Sequence, residues 1–311
     1  MVVSYQAVLL IAFGGPTSSE EIRPFLARVT QGTAIPPQRL EEVARHYEAV
    51  GGRSPLNEIT TRQARAVQKL LREQGMDLPV YVGMRNAAPF LVDTIRQMAG
   101  DGVQRALGFI LSSHHTEASW ERYQRNVADA RLKIGRAAPE IDYCAGWHDH
   151  PLFIQTWCEL IGETFAGIAR EHHSATPLVF TAHSVPVPMA NRSRYVEQLE
   201  ITAHSVAEKI GHENWCIAYQ SRSGKPGDPW LEPDINAVIR DLSSQGAADV
   251  VIAPIGFVCD HVEVLYDLDI EAKRTAAQAG VQLHRAGCPN DHTNFIQMIA
   301  DVIATSVKAR Q

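Results

Sequence analysis

The stretch VLLIAFGGP, Val8 to Pro16, lies over LVFTAHSVP, Leu178 to Pro186, and sets Phe13 against His183. Both are unbroken apolar runs that stop at a turn, the pattern of strands buried on both faces of a parallel sheet. The likeness extends downstream. PFLVDTIRQMAGDGVQRALGFILSS, from Pro89, parallels PWLEPDINAVIRDLSSQGAADVVIAPIG, from Pro229, and SSHHTEASWERY falls opposite GFVCDHVEVLYD. Self-similarity on this scale predicts one architecture built twice, with convergent βαβ patterning as the competing explanation.

Eight strand candidates alternate with longer amphipathic segments: AVLLIAF, PVYVG, ALGFILSS and IDYCAG, then PLVFTAHS, WCIAYQ, VVIAPIG and VQLHRA. Helical stretches such as 37–50, 60–74, 88–98 and 152–172 lie between them. This alternation predicts an α/β protein of two Rossmann-like domains, each a parallel sheet flanked by helices, with a cleft between the domains. Residues 1–147 form the first domain and 148–286 the second. Residues 287–311 supply a helix that packs back on the first.

Bulk composition narrows the function. The 311 residues are 45% hydrophobic and 21% charged, as in ordinary globular proteins. A net charge of −6 excludes a nucleic-acid partner, since no basic stripe is present to neutralise phosphates. The apolar run near the start is strand length, with neither the basic start nor the cleavage site of a signal peptide, so a cytoplasmic protein without a transmembrane anchor is expected. Five scattered cysteines without a CxxC pair argue against a zinc site or disulfide framework. Cys259, just before an acidic helix, is the one placed to meet a ligand.

Two segments carry chemistry. In PIGFVCDHVEVLYDLDIE, Pro254 to Glu271, an apolar strand breaks at Gly256 and runs into a helix bearing Glu263, Asp267 and Glu271 four residues apart. At about 100° per residue they form one acidic stripe. In TAHSVP, His183 stands where a strand meets its loop, the edge of an open α/β sheet at which ligands bind. The blander alternative makes Asp260 an N-cap and Glu263 the third helical residue of a capping box. Ser18 and Glu21 read as another such box.

Other signals are weaker. GGP lacks the third glycine of a dinucleotide fingerprint, and GKPGDPW puts proline where a phosphate-loop helix would begin. His148, Asp149 and His150 read as a solvated connector, His172 and His173 as a helix end, and His204 as part of a helix. His114 or His115, ending ALGFILSS, could line the cleft.

Taken together, FGGP, HYEAVGGRSPLN, VGMRN, TAHSVP, YQSRSGKPGDPWLEPDI and GFVCDHVEVLYDLDIE, in that order, resemble the ferrochelatases over nearly the whole chain. DPWLEPD and DHVEVLYDLD resemble the coproporphyrin-using bacterial branch, and FGGP followed by VTQGTAIPP resembles its actinobacterial-style members. The resemblance implies a class II chelatase-like fold and insertion of ferrous iron into coproporphyrin III to give coprohaem in haem biosynthesis, with protoporphyrin IX as the alternative substrate. It puts the metal-handling and catalytic positions on His183 and Glu263, with Asp267 and Glu271 as an outer acidic line. Porphyrin contacts fall on Phe13, Arg45, Tyr47, Arg53, Ser54, His114 and Tyr123.

The chain departs from its relatives in places. Phe13 stands where some members carry an iron-ligating tyrosine, and Thr30 and Gln31 replace arginines. No C-terminal cysteine cluster is present, so no iron–sulfur centre and no other tightly bound cofactor is expected, and iron is a substrate. The implied partners are the porphyrin, ferrous iron and a downstream haem-pathway enzyme. A sirohydrochlorin cobaltochelatase and a haem-binding carrier are the rivals; a glycosyltransferase would need a phosphate-binding loop.

Overall fold

The computed structural model describes residues 4–32, 35–223 and 227–309. Residues 33–34 of VTQGTAIPP and 224–226 of GKPGDPW lie outside the described residues. The chain divides into two compact units. One runs up to Ser112 and adds Ala118–Trp147 and the segment from Asp291 onward; the other comprises Ser113–Glu117 and His148–Asn290.

The first unit contains β1 (Ala7–Ala12), α1 (Ser19–Val29), α2 (Pro37–Ala49), α3 (Leu56–Glu73), β2 (Val80–Met84), α4 (Leu91–Gly100), β3 (Arg105–Ile110), α5 (Arg122–Ile134) and β4 (Glu140–Tyr143). Its strands are all parallel, in the order β2-β1-β3-β4. Every residue of the central strand β1 is buried, which is why that segment reads as one apolar run. Leu9 and Ile11 pack with Leu91, Ile95 and Met98 of α4 and with Val127 of α5.

The second unit contains α6 (Pro151–Phe165), β5 (Leu178–His183), α7 (Val187–Ala190), α8 (Tyr195–Ile210), β6 (Trp215–Gln220), α9 (Ile235–Ser244), β7 (Asp249–Ala253), α10 (Val262–Leu265), α11 (Lys273–Ala279) and β8 (Gln282–Arg285). The order is β6-β5-β7-β8, again parallel throughout. All eight strand candidates are therefore strands. The last helix, α12 (Thr293–Lys308), belongs to the first unit and packs on α3.

The two sheets share one connection pattern and one register. Val8 pairs with Val80 and Leu107; Leu178 pairs with Trp215 and Val251. Counting five residues on from Val8 and Leu178 reaches Phe13 and His183, so the ladders put these two residues at equivalent positions. The downstream overlay needs one correction. Met84 donates its amide to Pro89 O and Tyr219 donates to Pro233 O, both at 2.8 Å, so Pro89 corresponds to Pro233 and not to Pro229.

Between β7 and β8 the backbone is not a plain α-helix. A π-helical turn, Asp267–Ala272, joins α10 to α11, and the Glu271 amide reaches back five residues to Tyr266 O at 2.9 Å. An α-helix turns once every 3.6 residues, so a four-residue repeat drifts by about 40° per step. The wider π turn cancels much of that drift. Val264, Leu268, Ala272 and Ala276, four residues apart, can therefore all stay in the core, and Glu263, Asp267 and Glu271 each precede one of them.

A candidate metal-handling site

β7 stops where the chain must pass close to β5. A Cβ on Gly256 would lie 2.6 Å from Ala182 Cβ and 2.8 Å from its Cα, so only glycine fits. The Gly256 amide donates to Thr181 O, tying this loop to the end of β5 next to His183.

The His183 ring lies with Nε2 3.8 Å from Glu263 Oε1; both side chains are about one-third exposed, at 31% and 38%. The other ring nitrogen, Nδ1, is hydrogen-bonded to Ser184 O. A carbonyl only accepts, so Nδ1 carries the proton in the neutral ring and Nε2 keeps a lone pair. The backbone at this point is pinned as well: the Tyr195 hydroxyl donates to His183 O at 2.9 Å. Beside it, Gln220 donates through Nε2 to the Glu263 carbonyl, and Ser221, in the left-handed region at φ 63°, donates through Oγ to Asp267.

The capping-box alternative for Glu263 fails. The N-cap of α10 is His261, whose Nδ1 accepts the Glu263 amide at 3.2 Å. Asp260 instead pairs with Arg285 at 3.2 Å and accepts from Asn290 at 2.7 Å, while Asp269 holds the same arginine through two bonds. Those two acids are structural. Glu263, Asp267 and Glu271 remain as the partly exposed line, with Glu271 4.0 Å from Arg274. The Ser18–Glu21 box is also corrected: Ser18 is the N-cap of α1, but Glu21 accepts from Thr17.

Further expectations are overturned by burial. His114 is 2% exposed, with Nδ1 bonded to Ser113 Oγ at 2.8 Å and Nε2 to Thr202 Oγ1 at 3.0 Å, so neither nitrogen is offered to a ligand. Burial, reinforced by His148, pushes its pKa down to about 3. His148 is not on a solvated connector but buried, and His150 caps α6. Cys259 is buried too, and desolvation pushes its thiol up to about 12, which makes it inert. Among the described residues, no group of three or more His, Cys, Asp or Glu side chains is disposed to hold a metal.

In the first unit, Phe13 packs edge-on against Phe25 at 6.2 Å, and Phe25 against Tyr47 at 5.9 Å. Ser54 is buried and donates its amide to Pro16 O, holding the GGP loop, while Asn57 clamps both the amide and the carbonyl of Gly15. Tyr123 is buried, and Arg45 and Arg53 are exposed. Sequence alone did not single out Tyr195, Gln220, Ser221, His261 or Arg85. The available signal was that Gln220, Ser221 and Arg85 lie within motifs already noticed, YQSRSG and VGMRN.

The ferrochelatase family model matches residues 5–307. A coproporphyrin III ferrochelatase of Mycolicibacterium smegmatis is 39% identical over 304 residues, covering 97% of this chain and 89% of that protein. Its counterpart in Mycolicibacterium vanbaalenii is 40% identical, covering 97% and 90%. Among solved structures, the sirohydrochlorin chelatase SirB of Bacillus subtilis in complex with cobalt superposes with a TM-score of 0.58 at 9% identity, covering 98% of this chain and 96% of that one. At that identity the likeness is one of fold.

Proposed function

Since the chain belongs to the ferrochelatase family, whose members insert metal into porphyrins, we propose that it inserts ferrous iron into coproporphyrin III and releases coprohaem. The observation that carries this is the His183–Glu263 pair at the end of β5, at the head of an acidic line. The pair offers one nitrogen lone pair and one carboxylate, and imidazole and carboxylate both suit a first-row divalent ion.

The reaction exchanges two inner N–H protons of the macrocycle for one Fe²⁺. Two groups near each other must therefore receive metal or protons and let them go. His183 Nε2 can take a proton because Nδ1–H is already committed to Ser184. Glu263 assists it, and Asp267 and Glu271 extend the line toward solvent for hydrated iron or departing protons. Iron enters as substrate and leaves in the product; no resident cofactor or cluster is part of the mechanism. The family resemblance assigns macrocycle contacts to Tyr47, Ser54 and Tyr123, all three largely buried within the first unit, and propionate contacts to the exposed Arg45 and Arg53. Phe13 supplies an apolar face and no ligand atom. In this reading the enzyme works in the cytoplasm and passes its product to a downstream haem-pathway enzyme.

Anaerobic insertion of Fe²⁺, followed by absorbance with coproporphyrin III and protoporphyrin IX in the same detergent, tests the substrate. The expected result is a higher kcat/KM for coproporphyrin III, whose four propionates offer more charged handles than two. A clear preference for protoporphyrin IX would reassign the substrate and leave the chelatase chemistry. Binding without insertion would make the protein a carrier, and turnover restricted to sirohydrochlorin with cobalt would overturn the assignment.

A further inference from the structure

Arg85 closes β2 at the place in the first unit that Gln220 occupies in the second, since Ala12 pairs with Met84 as Ala182 pairs with Tyr219. Its guanidinium carbon lies 5.4 Å from the centre of the Phe13 ring and 4.4 Å from that of Tyr123. Nε donates to Asn126 Oδ1 at 2.7 Å. The Tyr123 phenol is a second polar neighbour and Arg122 adds a like charge, while no carboxylate contributes to its surroundings among the described residues. Burial lowers its pKa.

Removing a cation from water without a counter-charge is strongly unfavourable. Elsewhere the fold avoids that cost: the similarly buried Arg285 is paired with Asp260 and Asp269. Arg85 instead has two aromatic rings and an amide. Rings hold a guanidinium in place while leaving its charge uncompensated, and the planar fork matches a carboxylate. The residue lies at the carboxyl end of a strand, where open α/β sheets take their ligands.

We propose that Arg85 is a carboxylate anchor, its guanidinium held by Phe13, Tyr123 and Asn126 to receive one propionate of the macrocycle. This rests on the ferrochelatase assignment and deepens it. It gives Phe13 a task, packing its ring against the guanidinium.

The test is fluorescence quenching with coproporphyrin III and with its uncharged tetramethyl ester, on wild type, Arg85→Gln and Arg85→Lys, with a thermal melt of each. The glutamine variant is expected to weaken coproporphyrin binding about ten- to a hundredfold, the range for a hydrogen bond to a charged group. Ester binding should stay unchanged and Tm should hold or rise, because an uncompensated cation has gone. The lysine variant keeps the charge, loses the fork and should fall between; it carries the test if the glutamine variant folds poorly. Equal loss for acid and ester with a lower Tm would make Arg85 a packing residue and overturn the anchor, as would unchanged coproporphyrin affinity. Wild type that binds through Arg85 but never inserts iron would sink the assigned reaction and leave the anchor standing.

Discussion

His183 Nε2 and Glu263 Oε1 stand 3.8 Å apart, too far for a hydrogen bond and close enough to share one ion. First-row divalent ions sit about 2.0–2.2 Å from imidazole nitrogen and carboxylate oxygen, so a single cation fits between the two at an open angle. An ion held by only these two side chains would be held loosely. That suits a metal in transit better than a structural centre.

Replacing His183 with alanine should abolish iron insertion while porphyrin binding, read by fluorescence quenching, survives. The ring is partly exposed and its own hydrogen bond is to its neighbour, so little of the fold depends on it. His204→Ala is the matched control: that ring lies on α8, 70% exposed, beside Glu208. Near-normal turnover in the His183 variant would end the assignment.

Glu263→Gln should slow insertion by at least tenfold and leave Tm nearly unchanged. The Glu263 backbone serves the helix, donating to the His261 cap and accepting from Gln220, and both bonds survive the change. His261→Ala is expected to do the reverse in stability, costing about 1 kcal/mol through the lost cap. A Glu263→Gln protein with full activity and a lowered Tm would return the residue to a structural role.

Much of this arrangement was legible in the sequence. Strands buried on both faces must be apolar, so the inner strands β1, β3, β5 and β7 announced themselves, the half-exposed edge strands showed by their alternation with helices, and the repeat aligned Phe13 with His183. The four-residue acidic spacing was visible, but the π turn that keeps those positions on one face was not, because no local residue pattern dictates an i→i−5 bond. Asp260 has the chemistry of an N-cap, yet Arg285 and Asn290 hold it elsewhere. Arg285 is 25 residues away and Asn290 is 30, so only tertiary packing decides it. His114 looked placed for a ligand until Thr202 and His148 enclosed it.

Gly256→Ala should destabilise the protein by roughly 1–3 kcal/mol, the usual cost of overpacking. Its new Cβ would overlap both the Cβ and the Cα of Ala182, one residue before His183. Ala182→Gly removes the first of these clashes and not the second, so the double variant should recover part of the loss. Denaturant midpoints of the four proteins give the answer. An unperturbed single variant would mean that the β5–β7 junction yields more readily than its packing implies.

Stability should fall with acidification from near pH 6.5, with His114 as a principal cause. Burial holds its folded pKa at about 3, whereas in the unfolded chain it returns to about 6.5. Between those values the unfolded state binds more protons, so lowering the pH favours unfolding; above about 6.5 both states are neutral and the effect vanishes. The slope from this one group approaches about 1.4 kcal/mol per pH unit. His115, held at about 4 by burial, adds in the same direction and less strongly, being more open to solvent. Urea midpoints at pH 7.5, 6.0 and 5.0, above the range where most carboxylates titrate, should drop in wild type and drop less in His114→Gln. Parallel curves for the two proteins would show that protonation of His114 does not drive the loss.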